Sequence, residues 1–343
     1  MLGNTPGLAR AAEALLRDYM AVSAGEQVLI TADTAGDAAA YWTIMEAGEA
    51  IGANVSILLL PQLPFQGRLA DPYITTSLSA AALATDVWID LTFPYLAGSK
   101  LHDQGMASKR IRYLLGADMN AAGLVRLFGC VDLDRCHAVH TAFDSLVDDA
   151  VGDLVRITDG NGTDVQFRLA ERPYDKPRRG EQPGAYLVPG ACTLFPEIHS
   201  VQGEIRIGAM FHEYYTQLSA PMTLEVDGQI KALTGGGNEQ MVADRALRRA
   251  AGGDYGYIIH FTHGIHPAAR FTGESFIEDM RVTGNDAIGM GLPWWQAGGG
   301  ENHPDGVLCM QTIEINGELI VENGVIVTPS LVKQAAELAP IGF

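Results

Sequence analysis

Residues 154–167 read L-V-R-I-T-D-G-N-G-T-D-V-Q-F: two runs that alternate polar and apolar about Asp159-Gly160-Asn161-Gly162. Side chains alternate across a strand, so this pattern buries one face and wets the other. Asp-Gly and Asn-Gly supply the positive φ angles that tight hairpin turns need. The stretch is therefore an antiparallel hairpin, and the pattern of the chain changes beside it, near Gly152. Toward the N-terminus, apolar runs Gln27-Val28-Leu29-Ile30-Thr31, 55–60 and Val87-Trp88-Ile89-Asp90-Leu91 alternate with helical stretches at the N-terminus and at 36–52, 120–127 and 134–149. Runs apolar on both faces with helices between them predict a parallel α/β sheet, with 110–114 as a further strand. Toward the C-terminus, turn pairs recur at Asp227-Gly228, Asn316-Gly317 and Asn323-Gly324. They predict antiparallel β structure, interrupted by a helix near 238–251. The expected fold is thus α/β: an N-terminal parallel α/β domain, 1–150, and a C-terminal β-rich α+β domain, 151–343. The Pro-rich piece 173–189 is read as a loop.

The charge narrows the partners. The 343 residues carry 23 Lys and Arg against 41 Asp and Glu, a formal charge of −18. Phosphate backbones are bound by clustered basic side chains, so nucleic acid is excluded as a partner. The nearest basic cluster, Lys176-Pro177-Arg178-Arg179, sits among Pro and Gly and is read as loop. Cys130, Cys136, Cys192 and Cys309 show no zinc or redox spacing, so free thiols are expected. No apolar run is long enough to span a membrane, and the N-terminal stretch reads as an amphipathic helix rather than a signal peptide. A cytoplasmic enzyme that forms a homo-oligomer is the expectation.

Four of the nine histidines fall between residues 260 and 303: His260, His263, His266 and His303. His303-Pro304-Asp305 is the informative triplet. In extended backbone, residues two apart point the same way, and Pro304 holds His303 extended. One more imidazole would complete a two-histidine, one-carboxylate set, the ligand pattern of non-haem Fe(II) sites with open positions. The plain alternative is a surface turn or a structural hydrogen bond. Spacing does not choose among His260, His263 and His266. Other features carry less. The glycines of Gly235-Gly236-Gly237 suit a turn before a helix, there is no G-x-S-x-G elbow, and the loop after the first strand lacks a dinucleotide fingerprint. The paired Trp294-Trp295 is read as core filling, with an aromatic pocket wall as the alternative.

The order H-G-I-H-P-A-A-R-F-T-G-E-S-F, I-E-D-M-R-V-T-G-N-D-A-I-G-M-G and G-G-G-E-N-H-P-D resembles the C-terminal domain of the thermophilic metal-dependent aminopeptidases. Two departures stand out. Gly284-Asn285-Asp286-Ala287 carries alanine where those peptidases have a ligand histidine, and His266 in Gly264-Ile265-His266-Pro267 replaces an asparagine. That exchange is similar to the 2,5-dihydroxypyridine 5,6-dioxygenases, relatives of these peptidases. The resemblance implies Fe(II) held by His266, His303 and Asp305, with O2 and a small aromatic ring as substrates and N-formylmaleamate as product. It leaves His102 and His199 as candidate catalytic bases, with exposed loop histidines as the plain alternative. His260 and His263 then belong to the core or the surroundings of the ligands, and Glu204, Glu278 and Arg281 are remnants or supporting groups. A two-metal aminopeptidase and a non-catalytic protein with a structural metal are the competing readings.

Overall fold

The computed structural model describes residues 5–174, 178–296 and 303–342. The chain divides into two compact units, one of residues 1–133, 176–189 and 340–343, the other of 134–175 and 190–339. In the first, β1 (Gln27–Asp33), β2 (Asn54–Leu60), β3 (Val87–Asp90) and β4 (Arg112–Leu115) form a parallel sheet in the order β2-β1-β3-β4. Helices Ala38–Ile51, Thr76–Leu83 and Lys100–Ala107 connect them, each begun by an N-cap side chain from Asp37, Thr75 or Ser99. Trp88, Leu29, Leu101 and Tyr113 lie in its core. Asp90, wholly buried, accepts hydrogen bonds from Thr31, Thr92, Tyr113 and the Leu96 amide, and burial holds its carboxyl above the usual range.

One expectation for these strands needs correcting. β2 is not buried on both faces: it is the sheet edge, and Leu59 is half exposed. Its apolar run outlasts its burial because only one neighbour covers it.

β5 (Leu154–Thr158) and β6 (Asp164–Arg168) form the expected hairpin in the second unit, Leu154 opposite Arg168 and Thr158 opposite Asp164. The Pro-rich piece is more than a loop. Its residues Gly184–Leu187 make β7, which returns to the first unit and pairs parallel with β4, burying Tyr186. Lys176 and Pro177 of the basic cluster fall outside the described residues.

The remaining strands belong to the second unit: β8 (Ala191–Leu194), β9 (Gln202–Phe211), β10 (Tyr215–Asp227), β11 (Gln229–Gly235), β12 (Tyr257–Gly264), β13 (Asn285–Gly291), β14 (Asp305–Cys309), β15 (Thr312–Ile315), β16 (Glu318–Glu322) and β17 (Val325–Ile326). They build one large antiparallel sheet, ordered β17-β16-β15-β5-β6-β9-β14-β13-β12-β8, with β10 and β11 joined at β9. Helix Leu133–Asp149 packs Val139, Phe143 and Val147 into the same core as Val155, Ile157 and Phe167. The second unit therefore begins before the change of pattern near Gly152, because this amphipathic helix buries its apolar face there. Glu278, Asp279 and Arg281 are fully buried. Asp279 accepts from Thr272, Gly273 and Tyr215 and so ties down the loop ahead of it.

Candidate metal centre

Three neighbouring strands bring the site together. Across β12, β13 and β14, His260 lies opposite Gly289 and Gly289 opposite Asp305. Directly paired residues share a face of a sheet, so the imidazole and the carboxylate flank a position that has no side chain. His260 Nε2 stands 3.5 Å from Asp305 Oδ1. His303, two residues before Asp305, points the same way, with Nε2 3.4 Å from Asp305 Oδ2. One ligand atom from each of the three lies within 4.8 Å of the others, and among the described residues this is the one such group of His, Cys, Asp or Glu. Two atoms bound to one ion at about 2.1 Å each are roughly 3.0–3.4 Å apart, so the spacing fits a shared divalent cation. Two imidazoles and one carboxylate leave coordination positions open for other ligands.

The surroundings orient these groups. His260 Nδ1 is 3.1 Å from Thr262 Oγ1, which is 3.2 Å from Thr193 Oγ1 on β8. When Nδ1–H donates to Thr262, the Nε2 lone pair faces the site. Asp305 is buried and His260 nearly so, whereas His303 keeps about a fifth of its side chain exposed. Trp294 lies on the His303 ring, centroids 4.4 Å apart and planes 20° from parallel, and stands nearly perpendicular to the His260 ring, centroids 5.8 Å apart. Trp295, Tyr174 and Phe195 continue the aromatic cluster. Trp294 is 36% exposed, so the tryptophan pair is not core filling: Trp294 is a wall of the site. Cys309, at the far end of β14, has its thiol pushed up to about 11, first by burial and then by nearby carboxylates, and offers no thiolate at neutral pH.

Residues 11–328 match the family model described as NicX, 2,5-dihydroxypyridine 5,6-dioxygenase. The chain belongs to that family. The fold of this dioxygenase is similar to a solved structure of 2,5-dihydroxypyridine dioxygenase from Pseudomonas putida KT2440, with a TM-score of 0.73 and 18% identity over 95% of this chain and 98% of that one. It is also similar to wild-type AmpT from Thermus thermophilus, with a TM-score of 0.64 and 12% identity over 94% and 99% of the two chains. At these identities both likenesses concern the fold. No curated protein matches the sequence.

Within this dioxygenase, the histidines expected from the sequence part company. His303 and Asp305 meet as the H-x-D spacing implies. His266 is not the imidazole that joins them; His260 is. The His266 side chain is buried against Gly190, and its Nδ1 accepts from the amides of Ala268 and Ala269 at 3.3 and 3.2 Å. It organises the turn that follows Pro267. His263 leaves β12 toward the core, with Nδ1 2.6 Å from Asp286 Oδ1 and its ring stacked on Phe143. His199 sits on an exposed turn at Ile198–Ser200 with its ring perpendicular to that of Tyr257, centroids 5.0 Å apart. His102, in the first unit, lies in the first turn of helix Lys100–Ala107, its ring 4.7 Å from that of Tyr113 and its Nδ1 accepting from the Gly98 amide. Glu278 accepts from the Arg270 amide and Arg281 donates to the Ile277 carbonyl, while Glu204 lies exposed on β9. Spacing left His260 as one of three candidate imidazoles, and the resemblance preferred His266. The signal that would have singled out His260 is the pairing of its strand with Gly289, a register that no local pattern carries.

Proposed function

We propose that this dioxygenase holds one Fe(II) through His260, His303 and Asp305 and opens the ring of 2,5-dihydroxypyridine between C5 and C6. The observation that carries the reading is the convergence of these three side chains, two neutral donors and one anion, on one face of the sheet. The bound ion supplies the redox chemistry that lets O2 react with a closed-shell ring. The protein's own groups do the rest. Asp305 offsets part of the cation's charge, and its burial strengthens that attraction. Thr262 and Thr193 hold His260 in the tautomer that presents Nε2. Trp294 keeps the His303 ring from rotating and offers an apolar wall to a flat substrate.

The reaction balances without a further reductant: both atoms of O2 enter the product, C5 becoming a carboxylate and C6 the formyl carbon of N-formylmaleamate. The substrate hydroxyl must lose its proton, and His102 and His199 are the proposed bases. Anaerobic purification, reconstitution with Fe(II) and an oxygen electrode test the proposal. One O2 per 2,5-dihydroxypyridine and one iron per chain are expected, with both lost in His260→Ala and kept, if at lower stability, in His266→Ala. Iron retained by His260→Ala but lost from His266→Ala would overturn the ligand set. In the same assay, His102→Ala or His199→Ala should lower kcat at unchanged iron content if either is the base.

A further inference from the structure

We infer that Gly289 sets the spacing of the metal ligands, a reading that rests on the assignment of His260, His303 and Asp305 made above. Gly289 stands between His260 and Asp305 in the cross-strand row. A Cβ at this position would lie 2.2 Å from His260 Nε2, 2.5 Å from Cδ2 and 3.0 Å from Cε1. The space that a side chain would occupy is filled by the edge of the imidazole that faces Asp305.

The glycine is not needed by the backbone. Its φ lies outside the left-handed region, in the middle of β13, where glycine costs about 0.5–1 kcal/mol relative to alanine. Ala287, two residues earlier on the same face, carries its methyl group without exposure. What distinguishes position 289 is the ring above it. Unstrained contacts between heavy atoms are about 3.5 Å, so any side chain here must drive Nε2 away by roughly 1 Å. Metal–ligand bonds tolerate about 0.2 Å, so the shift is too large for His260 and Asp305 to share one ion. Gly289 is thus a positioning residue that acts through His260.

The test compares wild type, Gly289→Ala, His260→Ala, the double variant His260→Ala/Gly289→Ala, and His303→Ala. Each is titrated anaerobically with Co(II), followed by calorimetry and visible absorption, and unfolded in urea. Wild type should bind one Co(II), His303→Ala should lose it, and Gly289→Ala should bind about 10- to 100-fold more weakly or not at all. The urea midpoint should fall on Gly289→Ala in the presence of His260 and stay level in the His260→Ala background, because the clash needs both partners. Wild-type affinity in Gly289→Ala would overturn the inference and leave the ligand assignment standing. Equal Co(II) binding by wild type and His303→Ala would overturn the ligand assignment itself. Should Gly289→Ala fail to fold, the double variant decides: recovery to the stability of His260→Ala supports the clash, and continued failure overturns it.

Discussion

His260 and His263 leave β12 on opposite faces, and their surroundings give them opposite work. His260 meets Asp305 and His303 where the site opens, while His263 is closed in with Asp286 and Phe143. Truncating each should therefore read out differently. His260→Ala should abolish Co(II) binding in a calorimetric titration with little change in the urea midpoint of the metal-free protein. His263→Ala leaves Asp286 buried without its partner, a loss of about 3–5 kcal/mol, so its urea midpoint should fall sharply while the folded fraction still binds metal. Metal loss in His263→Ala at unchanged stability would contradict this division. Trp294 invites a second comparison. Its ring lies flat on His303, the most exposed of the three proposed ligands. Trp294→Ala frees that imidazole to rotate and should weaken Co(II) binding roughly tenfold, whereas Trp294→Phe, which keeps a stacking face, should stay close to wild type. Identical affinities for all three proteins would remove Trp294 from any positioning role.

Elements differ in how openly the sequence declares them, and the difference is physical. Hairpins are local: Asn316-Gly317 and Asn323-Gly324 adopt positive φ at both positions and join β15 to β16 and β16 to β17 as their dipeptides imply. The His303–Asp305 pair is local too, since two residues in extended backbone fix a shared direction. His260 joins them only through two non-local pairings, and neither β12 nor β14 holds both ends of that row. β7 was hidden for another reason, as its four residues lie within a Pro-rich run and take their strand character from β4. The G-x-H-P motif drew attention to His266, whose burial serves the junction of β8 and β12. Gly190 has φ +101° at that junction, and a Cβ there would come within 2.5 Å of His266 Cβ. The Ile265 amide also donates to its carbonyl. Gly190→Ala combines a strained backbone with an overlap and should cost about 2–4 kcal/mol in urea unfolding, with Co(II) affinity of the folded protein kept. A change below about 0.5 kcal/mol would mean that His266 is not packed as described.

The whole molecule carries a formal charge of −18, which attracts divalent cations to many surface carboxylates as well as to the site. Weak surface binding is screened by salt within about 8 Å at physiological ionic strength, while a buried site that uses Asp305 is not. Among the described residues no helix is long and apolar enough to cross a membrane. Thermal melting separates the two kinds of binding. A ligand that binds only the folded chain stabilises it by about 2.7 kcal/mol at one hundred times its Kd. For a cooperative unit the size of residues 134–175 with 190–339, that amounts to roughly 5–10 °C in Tm. We expect Co(II) in 150 mM salt to raise the melting temperature of wild type by this amount, and EDTA to reverse it. His303→Ala, which keeps the acidic surface but lacks one proposed ligand, should show no shift. An equal rise in His303→Ala would assign the stabilisation to the surface charge. A rise confined to wild type ties it to the cation held between β12, β13 and β14, the strands whose pairing makes the site.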